Sequence, residues 1–214
     1  MNFRTIQFMT KFIQVIALVM VSSMPALSME IFIIEGETLT YDTEGDDVAE
    51  EIEMQHVEEL RLILEENPNI RLLKLESGGG SKLAAQRMAS IIIDAQLDTH
   101  VDKDCNSSCV RLFVAGNRRT ASLGANIGFH RGYWEADKLE KFYNEEKEVE
   151  EWETPFEFAS WLYDYVQISV HELLSYFISR GVSIEVASGL YRLGRDEMWF
   201  PRREELMSLG IITE

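Results

Sequence analysis

Residues 105–132 read CNSSCVRLFVAGNRRTASLGANIGFHRG, and they gather most of the reactive side-chain types of the chain. Both cysteines, Cys105 and Cys109, bracket Ser107 and Ser108, and His130, one of four histidines, follows Ser107 by 23 residues. A serine hydroxyl is a weak nucleophile until a base takes its proton and fixed donors hold the resulting oxyanion. His130 has the chemistry of such a base. Donors are available in two places. The apolar run after Ser107 is a candidate helix, whose first N–H groups and dipole favour negative charge. The turn "SGGG", residues 77–80, offers backbone N–H groups with little side-chain obstruction. The G-x-S-x-G elbow of α/β-hydrolases is absent, which argues against that fold. Each feature also has a plain structural reading: Ser107 as a helix N-cap, Ser108 as the nucleophile in its place, His130 as a core histidine, and "SGGG" as a tight turn.

The N-terminus decides how the cysteines are read. Residues 1–28 have the form of a signal peptide: Arg4 and Lys11 without acidic residues, an apolar run Phe12 to Val21, and small residues at Ala26 and Ser28. Cleavage is expected after Ser28, placing the mature chain in the periplasm or outside the cell. An uncleaved anchor is the alternative and the only route to a membrane; the run is shorter than the roughly 20 residues that span a bilayer. In an oxidising compartment two cysteines point to a disulfide before a metal site. Spaced four apart, Cys105 and Cys109 on one helical turn would have Cα atoms roughly 6 Å apart, within bridging range. Two thiolates with no nearby histidine pair make a poor zinc site, so no metal and no cofactor is expected.

Removing residues 1–28 takes two positive charges from a formal net charge of −17, leaving −19 on 186 residues. So acidic a chain repels nucleic acid and anionic membrane surfaces. A hydrophobic content of 46% suffices for one packed domain, expected over residues 29–214 with an acidic insertion at about 133–154.

Several elements must position these groups. "MEIFIIEG" reads as a strand. A helix is expected from an N-cap at Asp46 or Asp47 through Val48, Ile52, Leu60, Ile63 and Leu64, stopped at Asn67-Pro68. "IRLLKLES" is a second strand, "KLAAQRMASIIIDAQ" a helix and "DTHVD" a third, short strand. "SSCVRLFVAG" fits a helix or a strand, and "NIGFH" a strand end. This alternation predicts an α/β fold with a mostly parallel sheet, whose ligands gather at the carboxyl ends of strands. "SGGG", Ser107 and His130 all fall at such ends. Beyond Gly132, residues 135–153 hold nine acidic residues and three lysines. A long aromatic-rich helix closed by Gly181 follows, then a helix over "SIEVASGLYRLG", a strand at "MWF" and a helical C-terminal segment. Trp152, Phe156, Phe158, Trp161, Tyr163 and Tyr165 are read as packing. His56, His100 and His171 are read as solvated or at strand ends, and Arg118 and Arg119 as surface residues on a turn.

"LKLESGGGSKLAAQRMASII" resembles the strand, Ser-Pro-Gly-Gly turn and helix of the Clp protease proteolytic subunit and its crotonase-fold relatives. "SSCVRLFVAG" resembles their nucleophile segment, which ends nine residues on in Ala-Gly, and "NIGFHR" their strand ending in the catalytic histidine. "CNSSC…AG…GFH" is closer to exported Clp-like proteins. The resemblance runs from about Glu30 to Gly132, and more weakly over Glu172 to Thr213. It implies a ClpP/crotonase fold of stacked βαβ units with a helical C-terminal region. It casts Ser107 as nucleophile, His130 as base, and the N–H groups of Gly80 and Ser108 as oxyanion donors. Gly78 stands where the family has proline. Asp196, before "MWFPRREELMSLG", matches the third triad member, at a longer separation from His130 than the protease has; Asp164 and Glu185 stay open.

Two functions follow. One is an exported serine hydrolase of the peptidase kind, acting on peptide or protein substrates through Ser107, His130 and Asp196. The other is a catalytically inactive copy of the fold used for assembly or partner binding, and a homo-oligomer fits either.

Overall fold

The computed structural model describes residues 31–45 and 51–214. The signal-peptide reading, the predicted N-cap Asp46 or Asp47, and Val48 lie outside the described residues. The first strand, β1 (Phe32–Glu35), turns through Gly36 into β2 (Thr38–Asp42), with which it pairs antiparallel. The sequence reading has no counterpart of β2. "TLTYD" alternates half-buried and buried residues, but it is short and runs directly into an acidic stretch.

Helix α1 (Met54–Glu66) begins later than the spacing predicts. Its cap is Glu53, and Ile52 instead forms a parallel bridge with Gly80. Strand β3 (Leu72–Ser77), helix α2 (Lys82–Asp94), strand β4 (Asp98–Asn106) and helix α3 (Cys109–Ala115) complete the alternating core. Strands β5 (Arg119–Ala121) and β6 (Asn126–Gly128) both pair with β4, at its first and last thirds respectively. The sheet runs β1-β2-β3-β4-β5, and every pairing after the first is parallel. β4 is nine residues long, well beyond "DTHVD", and carries the sheet to the edge of the cysteine pair.

One sheet face is apolar. Leu39, Tyr41, Leu73, Leu75 and Val101 are buried there, packed with Leu60, Met88, Ile92, Leu112 and Phe113 from the first three helices. The alternate residues of β3 and β4, Lys74 and His100 among them, lie half-buried on the other face, as strand periodicity requires. α3 is buried along its whole length, and its last carbonyls are held by cations. Arg180 donates to Val114, Ala115 and Gly116, and Arg119 to Gly116, Ile211 and Gly210. Arg119 is therefore a buried clamp between α3 and the C-terminal segment, not a surface residue on a turn. His56 is likewise buried, with Nδ1 bonded to the Tyr41 hydroxyl at 2.8 Å.

The acidic stretch forms α4 (Ala136–Glu146), which has no buried residue. The long helix, α5 (Pro155–Ser179), starts in a capping box between Thr154 and Glu157. Phe142, Trp152, Phe158 and Trp161 stack against one another with ring centres 5.0–6.3 Å apart, joining α4 to α5. The chain ends in α6 (Val186–Tyr191) and α7 (Arg203–Ser208). "MWF" contributes a single antiparallel bridge, Phe129 to Trp199, in place of a strand.

Candidate active site

Three strand ends converge. Ser77 of β3 sits in register with Cys105 of β4, and Gly128 of β6 with Asn106. The Ser107 N–H donates to the Gly128 carbonyl at 2.8 Å, so the nucleophile candidate is held between the glycine turn and the strand that leads to His130. This is the carboxyl edge of a parallel sheet, where open α/β folds place their ligands.

The β4–α3 turn is unusual. Ser107 has φ +56°, a left-handed conformation that a non-glycine residue adopts at a cost on the order of 1–2 kcal/mol. Local restraints hold it there. Cys105 and Cys109 form a disulfide with Cα atoms 5.2 Å apart, astride the strand-to-helix turn and not on one helical turn. The Ser108 hydroxyl donates to the Gly80 carbonyl at 2.8 Å, which ties the two loops together and occupies the rival hydroxyl. Gly79 leaves no room for a side chain: a Cβ there would come within 2.7 Å of the Ser107 Cβ.

The Ser107 Oγ lies 2.6 Å from His130 Nε2. His130 Nδ1 lies 3.0 Å from the Arg131 carbonyl oxygen, which can only accept. Nδ1 is therefore the protonated nitrogen, and Nε2 is free to accept the serine proton. Asp196 does not fill this position. It is exposed and makes no hydrogen bond or ion pair among the described residues. The physical reason is the single Phe129–Trp199 bridge: it aligns Trp199 with the base strand, but three residues earlier the chain is still turning through the exposed segment after Gly194. Asp164 and Glu185 are also exposed, on or beside other helices.

Of the expected oxyanion donors, the Gly80 and Ser108 N–H groups have no acceptor among the described residues. The neighbouring glycines are occupied: Gly78 donates to a Glu44 carboxylate oxygen at 2.7 Å and Gly79 to the Ser77 hydroxyl at 3.1 Å. Gly79, not Gly80, abuts Ser107. Gly80 backs on Ile52, whose N and O would lie 2.4 and 2.7 Å from an added Cβ.

Two cavities open from the Ser107–His130 pair. The larger, about 660 Å³, runs between α3, α5 and residues 131–134 and is lined mainly by apolar side chains. Its charged lining is entirely cationic: Lys82, Arg111, Arg131 and Arg195. The smaller, about 550 Å³, lies over the glycine turn and holds Glu44 and Glu51 but no cation.

A second serine–histidine–aspartate set, which sequence reasoning missed, lies on the other sheet face. His100 Nε2 is 3.0 Å from Asp102 and 3.3 Å from Ser122, and the Ser122 hydroxyl donates to Asp102 at 2.7 Å. Lys74 and the Ser122 hydroxyl hold the Asp102 carboxyl far below its ordinary range. This set lines neither cavity. Its alternating register on β4 is visible in the sequence, but its pairing with β5 is not.

No family model and no characterised protein matches the chain by sequence. A solved structure does match by shape: a mutant of ClpP1 from Listeria monocytogenes, at a TM-score of 0.52 and 14% identity, covering 84% of this chain and 90% of that one. The fold is that of ClpP. The mostly parallel sheet with its covering helices agrees with the fold class expected from the sequence. At 14% identity the ClpP likeness speaks for architecture alone, and the chemistry of the site rests on the geometry above.

Proposed function

We propose that the protein is an exported serine hydrolase that cleaves peptide bonds, with Ser107 as nucleophile and His130 as general base. The observation that carries this is the 2.6 Å contact between Ser107 Oγ and His130 Nε2 at the mouth of a large cavity. The ClpP fold supports it. So does the left-handed Ser107 at the start of α3, since strained backbone clusters at functional sites. Export is supported by Arg4, Lys11 and the apolar run after them. The disulfide fits an oxidising compartment.

In this reading Oγ attacks the substrate carbonyl carbon while its proton passes to Nε2. The N–H groups of Gly80 and Ser108 receive the oxyanion. The imidazolium then gives its proton to the leaving amine, and water, deprotonated by the same nitrogen, releases the acyl group. The Arg131 carbonyl holds the ring in the productive tautomer. It carries no full negative charge, so it stabilises the imidazolium less than a carboxylate would. That same observation favours the second reading, a ClpP-like fold without catalytic activity.

One experiment separates the two. Mature protein is treated with a fluorophosphonate and the adduct mapped by mass spectrometry. Ser107 should be labelled, Ser107→Ala should abolish the label, and His130→Ala should slow labelling by about 10²-fold or more. A label on another serine, or none, removes the hydrolase reading.

A further inference from the structure

The larger cavity contains a buried charge without a counter-charge. Arg111 lies on α3 four residues after Ser107 and is 7% exposed. Among the described residues its guanidinium makes no ion pair and no side-chain hydrogen bond. It rests over the Tyr176 ring, 4.7 Å from the ring centre. Glu172, exposed on α5, is the one carboxylate that acts on it among the described residues, and it makes no ion pair with it. Buried guanidinium groups are otherwise paired, because burial removes the water that solvated them.

The surroundings extend the argument. The chain has 37 acidic residues against 20 basic ones, yet no acidic side chain lines this cavity. Arg195 is already engaged, donating to Glu135 at 2.7 Å and to the Trp134 carbonyl at 3.0 Å. Lys82 is exposed and sits over the Tyr165 ring. Arg131 is only half-buried, so Arg111 is the most buried of the four cations and the one whose burial is least offset. Around it the wall is apolar, with Val110, Val166, Val170, Leu173 and Leu190. The smaller cavity across Ser107 carries Glu44 and Glu51 and would repel an anion.

We propose that this cavity is a subsite for a substrate group that is apolar along its length and ends in a carboxylate, which Arg111 receives. The proposal deepens the hydrolase reading and rests on it for the identification of the cavity as a substrate site. A planar guanidinium binds a carboxylate by paired, charge-assisted hydrogen bonds, and the apolar wall weakens competition from water. The carboxylate has two peptide sources, an acidic side chain or the chain terminus.

The test is direct binding by calorimetry, which needs no turnover. Four acetylated leucine-rich tripeptides are compared: an amide ending in glutamate against its glutamine counterpart, and a free acid ending in leucine against its amide. Wild type should bind at least one carboxylate peptide about tenfold or more tightly than its neutral partner. The preferred pair identifies the source. Arg111→Gln should abolish the preference, and Arg111→Lys should keep part of it. If Arg111→Gln does not fold, the wild-type comparison still decides. Equal affinity within each pair overturns the inference, and Ser107 labelling would leave the hydrolase reading standing. A carboxylate preference that depends on Arg111, in a protein whose Ser107 takes no label, upholds the subsite and removes the hydrolase reading.

Discussion

Reducing the Cys105–Cys109 bridge should disable the site well before it unfolds the protein. The bridge closes a sequence separation of only four. In the chain-entropy account so small a loop contributes about 2 kcal/mol. For a chain of this size that lowers the melting temperature by about 4–8 °C. The local consequence is larger in proportion. The bridge joins the end of β4 to the first residue of α3, and Ser107 lies between them at φ +56°. Holding that conformation costs on the order of 1–2 kcal/mol, comparable with what the bridge supplies. Without it the turn relaxes, and a shift of one or two kcal/mol lowers the productive population by roughly 5–30-fold.

Two readouts follow the reduced protein, or Cys105→Ala with Cys109→Ala, beside the oxidised one. Fluorophosphonate labelling of Ser107 should slow by that factor. The imidazole NMR signals of His130 should report loss of the 2.6 Å contact with Ser107. Core signals from Leu75, Met88 and Phe113 should change little. Labelling within about twofold of the oxidised protein, despite the expected fall in melting temperature, would refute the idea that the bridge holds the nucleophile turn.

Asp196→Asn should keep Ser107 labelling within about twofold, since the Arg131 carbonyl already accepts from His130 Nδ1; a drop approaching the ~10⁴ seen for a triad aspartate would mean the carboxylate reaches the ring. Glu76, 9% exposed at the end of β3, has its carboxyl raised by burial despite a backbone hydrogen bond from Asp104. A carboxyl raised in the fold adds stability below its unfolded value and loses it as pH rises through the folded one. Glu76→Gln should therefore be more stable than wild type at neutral pH, with the gap closing towards about pH 4. Urea midpoints at both pH values test this, and a gap that stays constant or reverses would contradict it.

Much of this was legible in the sequence because period and punctuation agreed. Alternating burial in "LLKLES", the run "KLAAQRMASIII" and the glycine turn between them mark strand, turn and helix, and hence the parallel sheet edge at which Ser107 and His130 meet. The cysteine spacing points to the bridge, although its geometry is that of a strand-to-helix corner. What failed had tertiary causes. β2 is too short to announce itself, and the glycine turn takes Ile52 into a bridge with Gly80, so that α1 starts later than helical spacing implies. Arg119 and His56 carry polar side chains, but each reaches buried partners, in Arg119's case a carbonyl 92 residues away. Asp196 failed because a motif can align a segment without orienting one side chain in it. A single cation in an apolar run, as Arg111 is, has no signature until the cavity around it is known.

The two serine–histidine sets separate residue type from function. Ser122, His100 and Asp102 include all three members of a triad within hydrogen-bond reach, yet their proton order is wrong for attack. The serine gives its proton to Asp102, and His100 Nδ1 is taken by Thr120 at 2.7 Å. Lys74 neutralises the carboxylate, and Ser122, just past the end of β5, lines neither cavity. Ser107 and His130 have only two members, but they have much of what a reacting carbonyl requires: a hydroxyl bonded to an accepting nitrogen, the unused N–H of the adjacent Ser108, and space for a substrate. In the hydrolase reading proposed above, oxyanion donors and access outrank the third side chain. A fluorophosphonate should accordingly label Ser107 and leave Ser122 untouched, even under denaturant too weak to unfold the sheet. A label on Ser122 of the native protein would show that residue types alone sufficed and that the placement of donors was not the deciding term.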